Sequence, residues 1–414
     1  MVAIAQLLPR FVVTSFGLAL NLTSRLIPGG GREGGGCTGI ETLIGDNGYP
    51  LETHEVATQD GYVLQMHRIP HGRTGSCAHV SASKDRWCGG RGPVFVMTGL
   101  LADSASLVLD FPGQSLGFVL ADNGYDVWLG NTRGNTFGRK HRTLDVNSRP
   151  FWNFTFHEHA VYDLPAQIDY VLSETGKRQL LYVGMSQGTL IFFAMMSERP
   201  EYNDKVKAFA GLAPFNKLAH IKVPPLAIFG PYAENALRLA QVVGGSEVLP
   251  KDFQLMSIVR LLCGSVAKRV CTFLGDRLNN LGSRYINLLV GSKRAQKFDY
   301  GASKNNEVYG QREPPEYNLS RVTTDVGLFW SEGDQFVTPK EVDELRSSLG
   351  ARVRREGYIA DPYYTHVHFL IGLVNRKYLF RNLLDFLGGY PAEHEQTEED
   401  MDTTTNAVYT TLDS

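Results

Sequence analysis

The sequence predicts an α/β protein, a mostly parallel sheet flanked by helices and interrupted by one helical insertion. Three observations carry that expectation. Short apolar runs alternate with helical stretches over residues 93–212, the alternation stops over 213–322, and it resumes over 326–387. Strand, helix, strand is the pattern of crossover units, because parallel neighbours need a connection long enough to cross the sheet.

Each element has a local reason. Residues 53–68 partly alternate apolar and polar around Asp60-Gly61, a two-residue hairpin turn signature, and predict a β-hairpin. Pro93-Val94-Phe95-Val96-Met97 reads as a strand, 115–123 as a helix, and Tyr125-Asp126-Val127-Trp128-Leu129 as the next strand, closed by a Gly/Asn turn. An amphipathic helix over 158–174 leads to the β-branched and aromatic run Leu180-Leu181-Tyr182-Val183, a helix over 187–198 and a strand over 206–212. After the insertion come a strand over 326–330, a helix over 340–349, a strand over 353–359 and a helix over 377–387. The expected organisation is a candidate signal peptide with a flexible Gly-rich segment (1–36), a first core part (37–214, with an insertion loop at 71–92), a helical cap or lid (215–322), a second core part (323–390) and a flexible acidic tail (391–414). No internal repeat is visible.

Composition narrows the function classes. The 41 Lys and Arg against 43 Asp and Glu leave a formal charge of −2, which offers no basic field for a nucleic-acid backbone. Apolar residues at 43% and charged residues at 20% exclude collagen-like, disordered and polytopic membrane chains. The apolar run at 11–20, behind Arg10, is too short to span a bilayer and reads as a secretory signal peptide without a clean cleavage site. Cys37, Cys77, Cys88, Cys263 and Cys271 form no C-x-x-C pair and have no histidine at ligand spacing, so no metal site is expected. Cys77 and Cys88 are spaced to close a small surface loop. Asn21, Asn153 and Asn318 head N-glycosylation sequons, meaningful only in a secreted chain.

Two stretches match G-x-S-x-G: Gly113-Gln114-Ser115-Leu116-Gly117 and Gly184-Met185-Ser186-Gln187-Gly188. A nucleophile elbow needs a buried strand running into a sharp turn and then a helix. Ser186 has an apolar strand before it and an apolar helix after it, whereas Ser115 follows Asp110-Phe111-Pro112, where proline would interrupt a central strand. Ser115 is therefore read as a helix N-terminal residue. A serine hydroxyl needs a base, and the base an orienting acid; in an α/β-hydrolase they follow in the order Ser, Asp, His. Asp334 sits just past the strand over 326–330, with Glu332 as its rival, and His366 and His368 both lie in a loop after the last strand. The oxyanion donors expected are the backbone N–H groups of Gln187 and of Leu100, the latter in the turn Thr98-Gly99-Leu100-Leu101.

Longer stretches add specificity. Gly48-Tyr49-Pro50 with His54-Glu55-Val56, Asp60-Gly61-Tyr62-Val63-Leu64, Gly124-Tyr125-Asp126-Val127-Trp128-Leu129-Gly130-Asn131 with Arg133-Gly134-Asn135, and Tyr162-Asp163-Leu164-Pro165 resemble the acid lipase family, the gastric and lysosomal acid lipases of the α/β-hydrolase superfamily. The resemblance spans about residues 40–387. It implies an α/β-hydrolase fold with a helical cap, catalytic Ser186, Asp334 and His366, oxyanion donors Leu100 and Gln187, and hydrolysis of triacylglycerols or sterol esters without cofactor or metal. It further implies a neutral lipid substrate at a lipid-water interface and a secreted or lysosomal location. The chain departs from the family pattern at Thr98 and Met185, where the family has histidines, and at His368, where the His-x-Asp-Phe motif has its aspartate. Cys263 and Cys271 align with family cysteines, but the earlier cysteine that pairs with the first is absent near Gln254. These departures leave two other readings in play: a lipid-binding protein with little turnover, and an esterase for small soluble esters.

Overall fold

The computed structural model describes residues 39–73, 90–100, 102–217, 219–220 and 294–391. The N-terminal apolar run, all five cysteines, the sequon at Asn21, most of the 71–92 loop, the greater part of the cap and the acidic tail lie outside the described residues.

Among the described residues, nine strands form one sheet. β1 (Glu52–Ala57) and β2 (Tyr62–Ile69) make the hairpin expected around Asp60-Gly61, and β2 also carries the short β5 (Lys140–His141). The sheet continues through β4 (Asp126–Leu129), β3 (Pro93–Met97), β6 (Leu180–Met185), β7 (Val206–Leu212), β8 (Asp325–Ser331) and β9 (Val353–Ile359), in the order β1-β2-β4-β3-β6-β7-β8-β9. Pairing is antiparallel up to β2 with β4 and parallel from β4 to β9. Burial follows from that topology. β3, β4 and β6 are covered on both faces and buried throughout, so they read as continuous apolar runs, while β1 at the edge alternates.

Helices α1 (Leu116–Asp122), α2 (Leu164–Thr175), α3 (Gln187–Glu198), α4 (Pro339–Leu349) and α5 (Phe380–Gly388) flank the sheet. Helix α3 is buried from Gln187 to Ser197, and Phe192 stacks on Phe209 of β7 with ring centroids 3.9 Å apart. Two expected boundaries move. The helix expected over 158–174 begins as one α-helical turn (Phe156–Glu158), passes through a π-helical stretch (His159–Asp163) and becomes α-helical at Leu164; Pro165, which has no amide N–H to donate, sits at that junction. The helix expected over 377–387 is two pieces, Asn375–Tyr378 and α5, with Leu379 between them. Among the described residues, no helix is long and apolar enough to cross a membrane.

One buried ion network ties the hairpin to the rest. The Arg133 guanidinium, 1% exposed, donates through Nε to Asp163 Oδ1 (2.8 Å) and through Nη2 to Asp60 Oδ1 (2.8 Å) in the hairpin turn, and it lies 4.0 Å above the Tyr62 ring. Asp163 Oδ2 also accepts the Arg133 backbone N–H at 2.9 Å. Burial raises the Asp163 carboxyl pKa, so removing its charge partner, or Asp163 itself, strands a desolvated charge. Asp163→Asn is expected to lower folding stability by about 3 kcal/mol, as measured by urea unfolding at neutral pH.

Candidate active site

The serine turn is built by close backbone approach. Strand β6 ends at Met185 and α3 begins at Gln187, leaving Ser186 alone to reverse the chain at φ 54° and ψ −116°. A positive φ is rare outside glycine and marks local strain. Three glycines make the turn possible. A Cβ on Gly188 would lie 2.4 Å from Met97 O, one on Gly184 would lie 2.8 Å from Gly188 O, and one on Gly99 would lie 3.0 Å from Ser186 Cβ. The turn is pinned by Ser186 N–H donating to Leu212 O (2.9 Å) and by Thr189 Oγ1 donating to Ser186 O (2.7 Å). The rival match is of another kind. Ser115 sits at the N-terminus of α1, 2% exposed, with its hydroxyl donating to Asp110 O at 2.7 Å.

Histidine and aspartate arrive from two loops at the same sheet edge. His366 Nδ1–H donates to Asp334 Oδ2 at 2.8 Å, which leaves Nε2 as the acceptor for the Ser186 hydroxyl, also at 2.8 Å. The carboxylate is 1% exposed, and its other oxygen accepts the N–H groups of Phe336 (2.8 Å) and Val337 (3.0 Å). Fixed in this way, Asp334 can set the imidazole tautomer. Phe336 packs its ring against His366 at 4.9 Å. Glu332, the alternative acid, instead accepts a hydrogen bond from Tyr358 Oη at 3.0 Å, and His368 turns away to cap its own 3₁₀ turn. The two loops lie close together: Ser331 Oγ, at the end of β8, donates to Tyr364 O, and a Cβ on Gly333 would lie 2.6 Å from Pro362 O.

Gln187 is the first residue of α3, so its N–H has no acceptor within the helix. Leu100 lies one residue beyond Gly99, and its side chain packs against a second apolar cluster of Tyr62, Leu64, Phe151, Trp152 and Phe154. Sequence reading missed this anchor, because its members come from β2 and from the segment after β5 and share no periodicity. It also missed a second serine-histidine pair, Ser104 Oγ with His67 Nδ1 at 2.8 Å. Both residues are fully buried, and burial pushes the His67 pKa down to about 4, so the pair is a packing element closed to solvent. The insertion is rooted on α3: Phe215 N–H donates to Thr189 Oγ1 (3.1 Å) on the way out, and on the return Lys297 pairs with Glu198 (2.7 Å) and Asn318 N–H donates to Ser197 Oγ (2.8 Å).

Comparison with known proteins gives the family. Residues 40–110 match the model of a partial alpha/beta-hydrolase lipase region, and residues 92–359 match that of the alpha/beta hydrolase fold. The chain is 34% identical over 378 residues to the lysosomal acid lipase/cholesteryl ester hydrolase of Homo sapiens, covering 85% of this chain and 91% of that protein. The chain belongs to the acid lipase family. Its enzymes are carboxylic ester hydrolases, and its similarity extends to the gastric triacylglycerol lipase of Bos taurus (35% over 358 residues, 80% of this chain and 86% of that one) and to Lipase 1 of Drosophila melanogaster (33% over 387 residues, 85% and 80%).

Within this family member, two of the departures border the serine. Thr98 is 4% exposed and its hydroxyl has no hydrogen-bond partner among the described residues, while Met185 is 5% exposed with its sulfur beside Gly99. Beside both, Ser186 and His366 keep their hydrogen bond. Because Gly333 leaves no room for a methyl group between the two loops, Gly333→Ala is expected to spread Asp334 and His366 apart. Steady-state kinetics should show kcat reduced by roughly 10²-fold with KM little changed.

Proposed function

We propose that this acid lipase hydrolyses esters of neutral lipids, triacylglycerol or sterol ester, through an acyl-enzyme on Ser186. The observation that carries the reading is the single imidazole of His366, hydrogen-bonded at once to the Ser186 hydroxyl and to the buried Asp334 carboxylate. Ser186 Oγ attacks the acyl carbonyl carbon while His366 Nε2 takes its proton, and Asp334 stabilises the imidazolium that forms. The Leu100 and Gln187 N–H groups receive the oxyanion of the tetrahedral intermediate. Its collapse breaks the ester bond, and the alcohol leaves with the proton from His366. Water then attacks the acyl-enzyme, again giving its proton to His366, and the fatty acid leaves as Ser186 recovers its hydrogen. Every proton taken is returned.

A long acyl chain needs a water-excluded groove, and the expected cap over 215–322, whose described ends are held to the helix that follows Ser186, would supply it. Opening of such a cap at a lipid-water interface would couple substrate access to the surface. The names of the relatives, lysosomal and gastric, support a secreted or lysosomal location, with which the exposed Asn153 and Asn318 of two sequons agree. The intact hydrogen bonds of His366 weigh against a lipid-binding protein with little turnover.

Ser186→Ala should lower hydrolysis of emulsified triacylglycerol and of cholesteryl ester by roughly 10⁴-fold or more and abolish labelling by a fluorophosphonate. Persistent labelling of that variant would place the nucleophile elsewhere. The wild type should also gain rate as a short-chain ester passes its solubility limit. A rate that merely saturates below that limit would favour a soluble-ester esterase.

A further inference from the structure

The turn that carries His366 is closed by a second histidine. Thr365 occupies the N-cap of the 3₁₀ helix His366–Phe369, and the two ends form a reciprocal capping box with His368 at its third position. Thr365 N–H lies 3.0 Å from His368 Nδ1, and Thr365 Oγ1 lies 2.9 Å from the same nitrogen. A backbone N–H can only donate, so Nδ1 is the acceptor and the ring is neutral with its proton on Nε2. Capping boxes ordinarily use glutamate or glutamine here, acceptors that stay in place over a wide pH range. An imidazole does not. Protonation puts a hydrogen on Nδ1, facing the Thr365 N–H, and the box opens.

We propose that His368 is a positioning residue whose neutral ring holds the His366 turn in register with Ser186, so that acid weakens hydrolysis through His368 as well as through His366. This rests on the reading of His366 as the general base. Next to His368 stand His366 in the same turn, the Tyr364 ring at 5.3 Å, and Asp361, whose charge favours protonation and is shared with Lys377. Asn375, which accepts from Tyr364 Oη at 2.6 Å, brings no charge. Burial outweighs Asp361 and lowers the His368 pKa. The sign follows. A histidine held neutral binds fewer protons folded than unfolded, so its contribution is complete above the ordinary histidine range and is lost as pH falls through that range toward the lowered value.

The test is the acid limb of kcat/KM on a soluble ester, measured for wild type and for His368→Asn, which keeps an acceptor but has no proton to gain. Matched at neutral pH, the two limbs should separate as His368 takes up its proton, wild type falling more steeply over that interval and ending about tenfold below His368→Asn. His368→Ala, lacking any acceptor, should lose roughly tenfold in kcat at neutral pH, a loss that Asn at this position restores. Superimposable limbs for wild type and His368→Asn would overturn the proposal. Imidazole nitrogen shifts of the wild-type protein give a readout that needs neither activity nor a variant: a neutral His368 protonated on Nδ1 would also overturn it. Failure of the underlying reading looks different, because Ser186→Ala would then retain activity whatever the His368 nitrogens report.

Discussion

The site depends on a serine forced into a backbone conformation that serine does not choose. At φ 54°, Ser186 carries strain of the order of 1–3 kcal/mol, and such strain persists only where the surroundings over-determine it. Here they do. Strand β6 is buried along its whole length, helix α3 is buried along nearly all of its own, and the turn between them is one residue long. Moving Ser186 to a relaxed conformation would mean withdrawing one of these elements from the core.

The other parts of the site are consequences of that corner. A hydroxyl lifted from the sheet edge can be met by side chains from neighbouring strands, and parallel strands deliver their following loops to the same edge. Strand β8 delivers Asp334 and β9 delivers His366, across separations of 32 and 180 residues for the two hydrogen bonds of the imidazole. Helix α3 contributes at both ends, with an N–H at Gln187 that has no acceptor within the helix and an ion pair from Glu198 to Lys297 in the returning insertion.

The core of this arrangement was legible because its causes are local. Buried parallel strands must be continuously apolar, which placed β3, β6, β7 and β8 within two residues of where they lie; the close approach at Gly184 and Gly188 is the reason the serine motif has glycines. Position relative to strand ends separated Ser186 from Ser115 and favoured Asp334 over Glu332. His366 and His368 could not be told apart by spacing alone, since both follow β9. What distinguishes them is direction: one ring reaches Ser186 and the other folds back on Thr365. The anchor of Leu100 and the network around Arg133 were not legible either. Their partners, such as Asp60 and Asp163 or Tyr62 and Phe154, lie far apart in the chain and meet only through the topology.

The most direct test of the serine-centred account is a crystal structure of the protein inhibited by an alkylphosphonate ester. The account predicts phosphorus bonded to Ser186 Oγ, the phosphoryl oxygen within about 3 Å of both the Leu100 and the Gln187 nitrogens, and His366 still joined to Asp334. Phosphorus on any other side chain, or a phosphoryl oxygen turned away from those two amides, would contradict it.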